Sequence, residues 1–322
     1  MGIRYLNKFL RENCLQSIQC KSIASFSGKK IAIDTSIYLY RYETDNTLLE
    51  SMYLLMSIFK NYNIIPLFVF DGKPPPEKKL LIEQRVSDRQ TAEKEIKQLE
   101  YMLQHTSDDS KLDLMELTEL KESIETLKKK TVYVTRNKIN KVKELIHYYG
   151  ASYIEAEGEA DELCAILAVQ NKVWAVLSED MDMFVYGCPR VLRYFSLINH
   201  TAVLYQTDKI LNDLNMTQED FRSICIVSGT DYNCSHLSPN TNLFHILKYF
   251  KKYNSTKTTN TFYEWLQENT DCEIDIPLLN KINRMFTISK KNTQLENIKI
   301  ISCPIQYKEL KLLLNEDGFI FA

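Results

Sequence analysis

The chain has 322 residues, which is enough for one large domain or two modest ones around a sizeable buried core. Hydrophobic residues make up 44% and charged residues 25%, a balance that excludes a fibrous or largely disordered protein. The net charge is -2, so any surface that binds nucleic acid must be a local patch and not a basic exterior.

The cysteines and the apolar segments point to a protein inside the cell. The eight cysteines form no Cys-x-x-Cys pair and lack the His-x-His spacing of a zinc site, which predicts reduced thiols. Arg4, Lys8 and Arg11 interrupt the N-terminus, so it lacks the apolar stretch of a signal peptide. The most apolar segment, residues 51–70, is interrupted at Lys60, well short of a membrane span.

Three short apolar runs, rich in Ile, Val and Phe, each lead directly into an acidic residue. They are residues 30–33, 64–70 and 173–179. Runs of this kind are typical of strands that are buried on both faces. Helical segments are predicted between them at about residues 36–60, 137–149 and 159–170. This alternation of strand and helix predicts an α/β fold with a mostly parallel central sheet.

Acidic side chains follow each predicted strand, at the edge of the sheet where parallel α/β folds place their ligand crevice. Asp180 and Asp182 follow the third strand, and Glu159 and Asp161 open the helix that begins after Gly158. The acids expected to share this edge are Asp34, Asp71, Glu159, Asp161, Asp180, Asp182 and Asp231.

So many carboxylates in one crevice raise one another's pKa unless cations neutralise them. Oxygen ligands without His or Cys favour Mg²⁺ or Mn²⁺ over zinc. Two such ions, about 3.5 to 4 Å apart, can activate a water and stabilise the leaving oxygen of a phosphodiester. The set therefore predicts a nuclease. The alternative, helix caps or surface acids, fits any one of these residues better than it fits all of them.

The pattern changes between Pro76 and about Lys130, where charged, helix-favouring residues replace the strand signals. A polar break near residues 105–110 predicts two helices that project from the core. The alternative is a solvated helical hairpin that has no functional role. Further helices are predicted near residues 242–251, 261–268 and 277–287.

Six short segments follow one another in order along residues 1–235. They are Met1-Gly-Ile-Arg4, Ile31-Ala-Ile-Asp34, Phe70-Asp-Gly-Lys-Pro-Pro75, Gly158-Glu-Ala-Asp161, Ser178-Glu-Asp-Met-Asp182 and Gly229-Thr-Asp-Tyr232. In this order and spacing they resemble the successive motifs of the flap endonuclease family of structure-specific 5′ nucleases. The resemblance implies a PIN-like 5′ nuclease core over residues 1–235, with a helical arch at 76–130. A small helical C-terminal region would follow at 236–322.

The resemblance also implies which acids hold the two metal ions. The ligands of the first ion would be Asp34, Asp71, Glu159 and Asp161, and those of the second Asp180, Asp182 and Asp231, with Asp161 near both. The ions would be Mg²⁺, with Mn²⁺ able to substitute.

Basic and aromatic residues complete the implied site. Lys78 and Arg85, seven residues apart and so on one face of a helix, would reach the scissile phosphate from the arch. Tyr40 would stack on a base beside the cleaved bond, Arg89 would extend the basic stripe, and Gly2 would lie near the site. The alternatives are solvated helix residues for Lys78 and Arg89 and core packing for Tyr40.

Two features depart from the family pattern. Where relatives have Gly-Ile-Gly-Pro-Lys in a helix-two-turn-helix that holds duplex phosphates and K⁺, this chain has His236-Leu-Ser-Pro-Asn240. Loss of both glycines removes the close approach of backbone to phosphate; Lys248, Lys251 and Lys252 could replace part of that grip. The sequence also ends without the sliding-clamp-binding tail of cellular relatives. Both features predict a diverged member, for which a viral origin is one explanation.

The expected activity is Mg²⁺-dependent cleavage of branched or nicked DNA, at 5′ flaps and as a 5′–3′ exonuclease, in replication, repair or recombination. Expected partners are branched or nicked DNA, with no membrane and no sliding clamp. The site of action would be intracellular, in the nucleus or, for a viral protein, the host cytoplasm. The alternatives are a junction-resolving endonuclease, an RNA-directed 5′ nuclease, or an inactive nuclease-like scaffold, which would normally have lost some of the acids.

Overall fold

The structure, a computed structural model, describes residues 3–105, 114–233, 241–256, 259–288 and 298–319. Within these ranges seven strands form one sheet. The strands are β1 (Ile18–Ser22), β2 (Lys30–Asp34), β3 (Ile65–Phe70), β4 (Ser152–Glu155), β5 (Ala175–Leu177), β6 (Arg190–Ser196) and β7 (Thr201–Gln206).

Helices flank the sheet on both faces. They are α1 (Leu6–Asn13), α2 (Thr35–Thr44), α3 (Leu48–Asn61), α4 (Lys79–His105), α5 (Leu114–Lys130), α6 (Arg136–Tyr148), α7 (Ala160–Val169), α8 (Asp182–Tyr186), α9 (Thr207–Leu214), α10 (Gln218–Ser228), α11 (Leu243–Ser255), α12 (Phe262–Asn269), α13 (Ile276–Met285) and α14 (Tyr307–Glu316).

The strand order is β1-β7-β6-β5-β2-β3-β4. The five strands from β6 to β4 run parallel, whereas β7 pairs antiparallel with both β6 and β1 at one edge. The chain proceeds from β2 to β3 and β4 on one side, then returns to place β5 on the other side of β2. The carboxyl ends of β2 and β5 therefore meet at a topological switch point, where open α/β sheets bind ligands. The predicted mostly parallel α/β sheet is confirmed.

Alternating residues of the central strands pack into two separate cores, which explains the continuous apolar runs in the sequence. In β2, Ala32 points into the core that contains α1, α7, α8 and α10 to α13, while Ile31 and Ile33 point into the core that contains α2, α3, α6 and α14. In β3, Leu67 and Phe68 divide in the same way. A strand buried on both faces cannot carry the polar alternation of a half-exposed strand.

The structure differs from the sequence prediction in several elements. The single helical span expected at 36–60 is two helices, because the chain turns at Asn46, whose φ of 54° is left-handed. The third predicted strand, at 173–179, is shorter and consists of β5 alone. The sequence did not predict β1, β4, β6 or β7; β1 and β4 are edge strands whose residues alternate between half-buried and exposed.

The predicted pair of arch helices is confirmed as α4 and α5; of the break predicted near residues 105–110, all but His105 lies outside the described residues. Helix α4 has 27 residues, a length of about 40 Å at the usual rise per residue. It packs against α5 around Ala92, Ile96 and Ile124, with an ion pair of 2.8 Å between Lys128 and Glu100. Most other described side chains of this pair are exposed, as expected for helices that extend from the core.

The helices predicted after residue 241 are present as α11, α12 and α13, and they share one apolar core with α10. Helix α14 packs on the opposite face, against α6. The boundary at residues 235 and 236 stays a prediction, and His236–Asn240 lies outside the described residues. Among the described residues, the seven cysteines are free thiols, and no helix is long and apolar enough to cross a membrane.

Substitution Leu67→Ala should destabilise the fold. Leu67 is fully buried in β3, and removal of a buried leucine side chain leaves a cavity that costs about 2 to 5 kcal/mol. Urea unfolding followed by circular dichroism measures this difference. The same substitution at Leu312, 58% exposed on α14, should change the free energy of unfolding by no more than about 0.5 kcal/mol. Equal effects of the two substitutions would contradict the assigned core.

Candidate active site

Three acidic residues stand where three neighbouring parallel strands end. Asp34 is the last residue of β2, Asp71 follows β3 directly, and Asp180 follows β5 after two residues. All three line one open cleft of about 750 Å³. Because the carboxyl ends of parallel strands meet at one edge of the sheet, these acids lie together although they are far apart in sequence.

A backbone seam brings the segment after β3 to the start of α7. Gly72 N donates to Gly158 O at 2.7 Å, and Lys73 N donates to Glu157 O at 3.1 Å. A Cβ atom on Gly72 would lie only 2.0 Å from Ala156 O, so this approach requires glycine. The seam sets Asp71 beside the first turn of α7.

Helix α7 carries two of the acids at its N-terminus. Asp71 Oδ1 accepts a hydrogen bond of 2.8 Å from Ala160 N, and thereby caps the helix from outside. This leaves Glu159, at the N-cap position, free to turn its carboxylate into the cleft. Asp161, in the first turn, lines the same cleft.

Ser178 joins the ends of β2 and β5. Its Oγ donates to Asp34 Oδ2 at 2.9 Å and accepts from Asp180 N at 3.1 Å. Asp180 Oδ1 in turn accepts from Asp182 N at 2.9 Å, where α8 begins. These bonds fix the backbone that carries Asp180 and Asp182.

Asp231 reaches the cleft from the turn that ends α10. Gly229 has a φ of 109°, which directs the chain out of the helix. Asn233 Oδ1 then accepts from Thr230 N at 2.7 Å, while Asn233 Nδ2 donates to Ile226 O at 2.9 Å. The turn is therefore rigid, and Asp231 Oδ2 lies 3.2 Å from Nη2 of Arg85.

Lys78 lies deep within the acidic cleft and is only 8% exposed. Its Nζ donates to Glu159 Oε1 at 2.7 Å and stands 4.7 Å from the centre of the Tyr232 ring. The Tyr232 hydroxyl donates to Glu159 Oε2 at 2.8 Å, so one carboxylate receives both groups. Lys78 belongs to a short 3₁₀ turn, Pro76–Lys78, that leads directly into α4, and its side chain lines the same cleft as that of Arg85.

Burial and mutual repulsion raise the pKa of several acids. Burial, followed by the charge of Asp71, raises the pKa of Asp34 to about 8. Burial is also the main cause of the raised pKa of Asp161 and Asp182. For Lys78, burial acts to lower the pKa, but Asp161 and other acids outweigh it and the pKa of the ammonium is raised. The cleft therefore favours added positive charge.

The donor set fits a hard divalent cation in its chemistry. The described residues that line the cleft include seven carboxylates, which are six of the predicted acids and Asp88 of α4, and neither histidine nor cysteine, a composition that suits Mg²⁺ or Mn²⁺. Asp182 Oδ1 is buried and has no hydrogen-bond partner among the residues that the structure describes. As the described side chains stand, no three of the acids already surround a common point, since Glu159 turns to Lys78 and Asp231 turns to Arg85.

Two of the residues predicted to bind DNA lie at the mouth of the cleft. Tyr40, 48% exposed on α2, and Arg89 on α4 both line it. The Arg89 guanidinium lies 5.3 Å from the centre of the Tyr133 ring and 3.8 Å from Glu93. Gly2 lies outside the described residues.

The structure brings six of the seven predicted acids to one cleft, together with Lys78, Arg85, Tyr40 and Arg89. Asp182 lies behind the cleft wall, 2% exposed. Sequence reasoning missed the residues that hold the acids in place, which are Ser178, Arg193, Tyr232 and Asn233. Two of them stand inside quoted motifs, Ser178 before Glu179-Asp180 and Tyr232 after Asp231, and that adjacency was the available signal.

Two family models match the chain at the segments that carry these acids. Residues 1–92 match the XPG N-terminal domain, and residues 150–231 match the XPG I-region. The chain is 34% identical to flap endonuclease 1 of Zea mays over 253 residues, which cover 72% of this chain and 62% of that protein. Flap endonuclease 1 of Mus musculus is 30% identical over 249 residues, covering 72% and 61%. The chain thus spans about three fifths of the length of these relatives.

Solved structures agree with the fold. The catalytic core of Rad2 in complex with DNA substrate matches with a TM-score of 0.65 at 20% identity, over 99% of this chain and 95% of that one. Flap endonuclease-1 from Methanococcus jannaschii matches with a TM-score of 0.63 at 22% identity, over 93% and 90%. The sheet, the arch and the acidic cleft define a protein of the 5′ nuclease fold. The chain belongs to the flap endonuclease family, since the two XPG regions together cover more than half of it.

In EDTA, the free energy of unfolding should fall as the pH rises from about 5 to about 8. The pKa of Asp34 is about 8 in the folded protein and about 3.9 in an unfolded chain. Between these values the folded state binds more protons, so stability is complete below the lower pKa and is lost as the pH passes the higher one. This group alone contributes at most about 1.4 kcal/mol per pH unit.

Urea unfolding at several pH values measures this slope. Asp34→Asn should flatten it, because the amide does not titrate. An identical slope in the wild type and the variant would contradict the raised pKa of Asp34.

Proposed function

We propose that the chain is a divalent-metal-dependent 5′ nuclease that hydrolyses phosphodiester bonds in branched DNA. The observation that carries this proposal is the convergence of six of the predicted acids with Lys78 and Arg85 on one open cleft at the base of a helical pair. Membership of the flap endonuclease family supports the same activity. Its preferred substrates would be 5′ flaps, with 5′–3′ exonuclease action at ends or nicks, inside the cell.

The acids would divide into two ligand sets around two Mg²⁺ ions. Those of the first are Asp34, Asp71, Glu159 and Asp161, and those of the second are Asp180, Asp182 and Asp231. Metal ions held there would supply an activated water and would stabilise the leaving oxygen of the phosphodiester. In the structure Glu159 is turned to Lys78 and Asp231 to Arg85, so both carboxylates would turn towards the ions as the sets close.

Release of these ion pairs would free both basic groups for the DNA. Lys78 would reach the scissile phosphate as a point charge, and Arg85 would hold phosphate oxygens with its planar fork. Tyr40 would stack on a base beside the cleaved bond, with Arg89 near the strand that enters the arch. Lys78 and Arg85 thus neutralise the acids in the free protein and would bind the phosphate of the substrate in the complex, so the two events are linked.

End-labelled flap, nick, four-way junction and RNA substrates, incubated with and without Mg²⁺, test the proposed activity. Mg²⁺-dependent release of the 5′ strand from flap DNA is the expected result. Cleavage restricted to junctions would replace this function with junction resolution, and cleavage restricted to RNA would replace the substrate class. No cleavage of any substrate would overturn the proposal.

Substitution Asp180→Asn should abolish cleavage and leave folding and DNA binding intact. The variant removes one negatively charged ligand and keeps the side-chain shape. Even residues that only support the ligands from behind typically contribute about 10- to 100-fold to metal affinity or activity. The cleavage rate should therefore fall by more than about 100-fold, as measured on flap DNA. Exposed Asp45, outside the cleft, provides the same substitution as a control. Unchanged cleavage by Asp180→Asn would remove this residue from the ligand set.

Substitution Lys78→Ala should slow the chemical step more than it weakens binding. Loss of a charge that acts in the transition state lowers the single-turnover rate by about 100- to 1,000-fold. Fluorescence anisotropy of labelled flap DNA gives the affinity, and quenched-flow gels give the rate. The neighbouring Lys79, exposed and 3.9 Å from Glu83, serves as the control. A loss confined to affinity would contradict the role of Lys78.

A further inference from the structure

Arg193 is a buried arginine that the cleft does not expose. It lies in β6, is 6% exposed, and stands behind the loop that connects β5 to α8. It is absent from the cleft lining, so it does not touch the space where a substrate would bind. A buried guanidinium is costly unless several partners satisfy it.

Most of those partners belong to the loop that carries Asp180 and Asp182. Arg193 Nη2 donates to Glu179 O at 2.9 Å, and Nη1 contacts Met181 Sδ at 2.7 Å. Its Nε forms an ion pair with Glu179 Oε2 at 3.5 Å but has no hydrogen-bond partner among the described residues. The guanidinium therefore holds the residues on both sides of Asp180.

The same contacts turn a neighbouring acid away from the cleft. Glu179 Oε1 accepts from Tyr194 N at 2.6 Å, while Glu179 Oε2 faces Arg193. Glu179 is consequently absent from the cleft lining, although it directly precedes Asp180. These contacts explain why Glu179 points away from the cleft that Asp180 lines.

The other side of Arg193 is fixed by the N-terminal helix and by two aromatic rings. Nη1 donates to Asn7 Oδ1 at 2.8 Å, and the Tyr205 hydroxyl donates to the same oxygen at 2.8 Å. The guanidinium carbon stands 4.9 Å from the Tyr194 ring centre and 5.6 Å from that of Tyr205. With its plane held in this way, Arg193 connects α1 to the loop.

We propose that Arg193 is a positioning residue that sets the loop geometry through which Asp180 and Asp182 bind a divalent cation. The proposal rests on the proposed function of these acids as metal ligands. Groups behind metal ligands orient them, and their loss typically lowers metal affinity by about 10- to 100-fold. A planar arginine suits this task because several of its donors act in one fixed geometry.

Substitution Arg193→Met tests the proposal, with Mn²⁺ as the probe and no DNA present. The free Mn²⁺ signal in electron paramagnetic resonance gives the affinity, and thermal unfolding in EDTA reports the fold. The expected result is Mn²⁺ binding weakened by about 10- to 100-fold in a variant that remains folded. Methionine fills the volume without an unpaired charge.

Arg190→Met provides a matched control. Arg190 stands on the same strand, lies 5.2 Å from the Trp174 ring centre, and donates to the backbone oxygen of Trp174 at 3.4 Å. It makes the same kinds of contact away from the loop, so Mn²⁺ binding should be unchanged. Equal weakening in both variants would overturn the specific role of Arg193.

Arg193→Lys is the second variant, used if Arg193→Met does not fold. It keeps the charge but loses the planar fork, and it should also weaken Mn²⁺ binding. Wild-type affinity in a folded variant at this position would overturn the proposal while leaving the proposed nuclease activity in place. A wild-type protein that binds no Mn²⁺ and cleaves no DNA would overturn the proposed function and this inference together.

Discussion

The crowding of carboxylates at the ends of parallel strands is the constraint on which the site depends. Two unit charges 4 Å apart repel by about 4 kcal/mol at the effective dielectric of a protein surface. The protein offsets part of this repulsion with Lys78 and Arg85, and part with donors such as Ala160 N and the Ser178 hydroxyl. The remaining imbalance appears as the raised pKa of the buried acids.

The positive groups that balance the acids come from the segment that leads into the arch. Lys78 and Arg85 lie between β3 and the middle of α4, so electrostatic attraction also holds the base of the arch to the core. A third ion pair, 3.1 Å between Lys281 of α13 and Glu77, ties the same segment to the C-terminal helices. Arch, cleft and C-terminal helices are thus joined at one short stretch of chain.

The sequence predicted the centre of the molecule better than its periphery. Strands β2, β3 and β5 were recognisable because burial on both faces demands continuous apolar residues, and each is followed by an acid. Edge strands such as β1 and β4 mix polar and apolar residues, so their pattern does not stand out.

The residues that hold the acids in place, such as Ser178 and Arg193, were not predicted, for a different reason. Ser178 acts on Asp34, 144 residues away, and Arg193 acts on Asn7, 186 residues away. Such contacts exist only once the sheet has formed. For the same reason the sequence could not show that Asp182 lies behind the cleft wall, nor that Lys78 pairs with Glu159.

The backbone hydrogen bonds at Gly72 hold part of the site in place whatever side chains surround them. Main-chain atoms join residues 72 and 73 to residues 157 and 158, and only the glycine itself is irreplaceable there. The distance between Asp71 and the start of α7 is consequently set by main-chain hydrogen bonds and does not depend on the surrounding side chains. Mutations can accumulate nearby without moving these two segments apart, which fits a chain that is 34% identical to flap endonuclease 1 of Zea mays over 253 residues and still holds Asp71 beside α7.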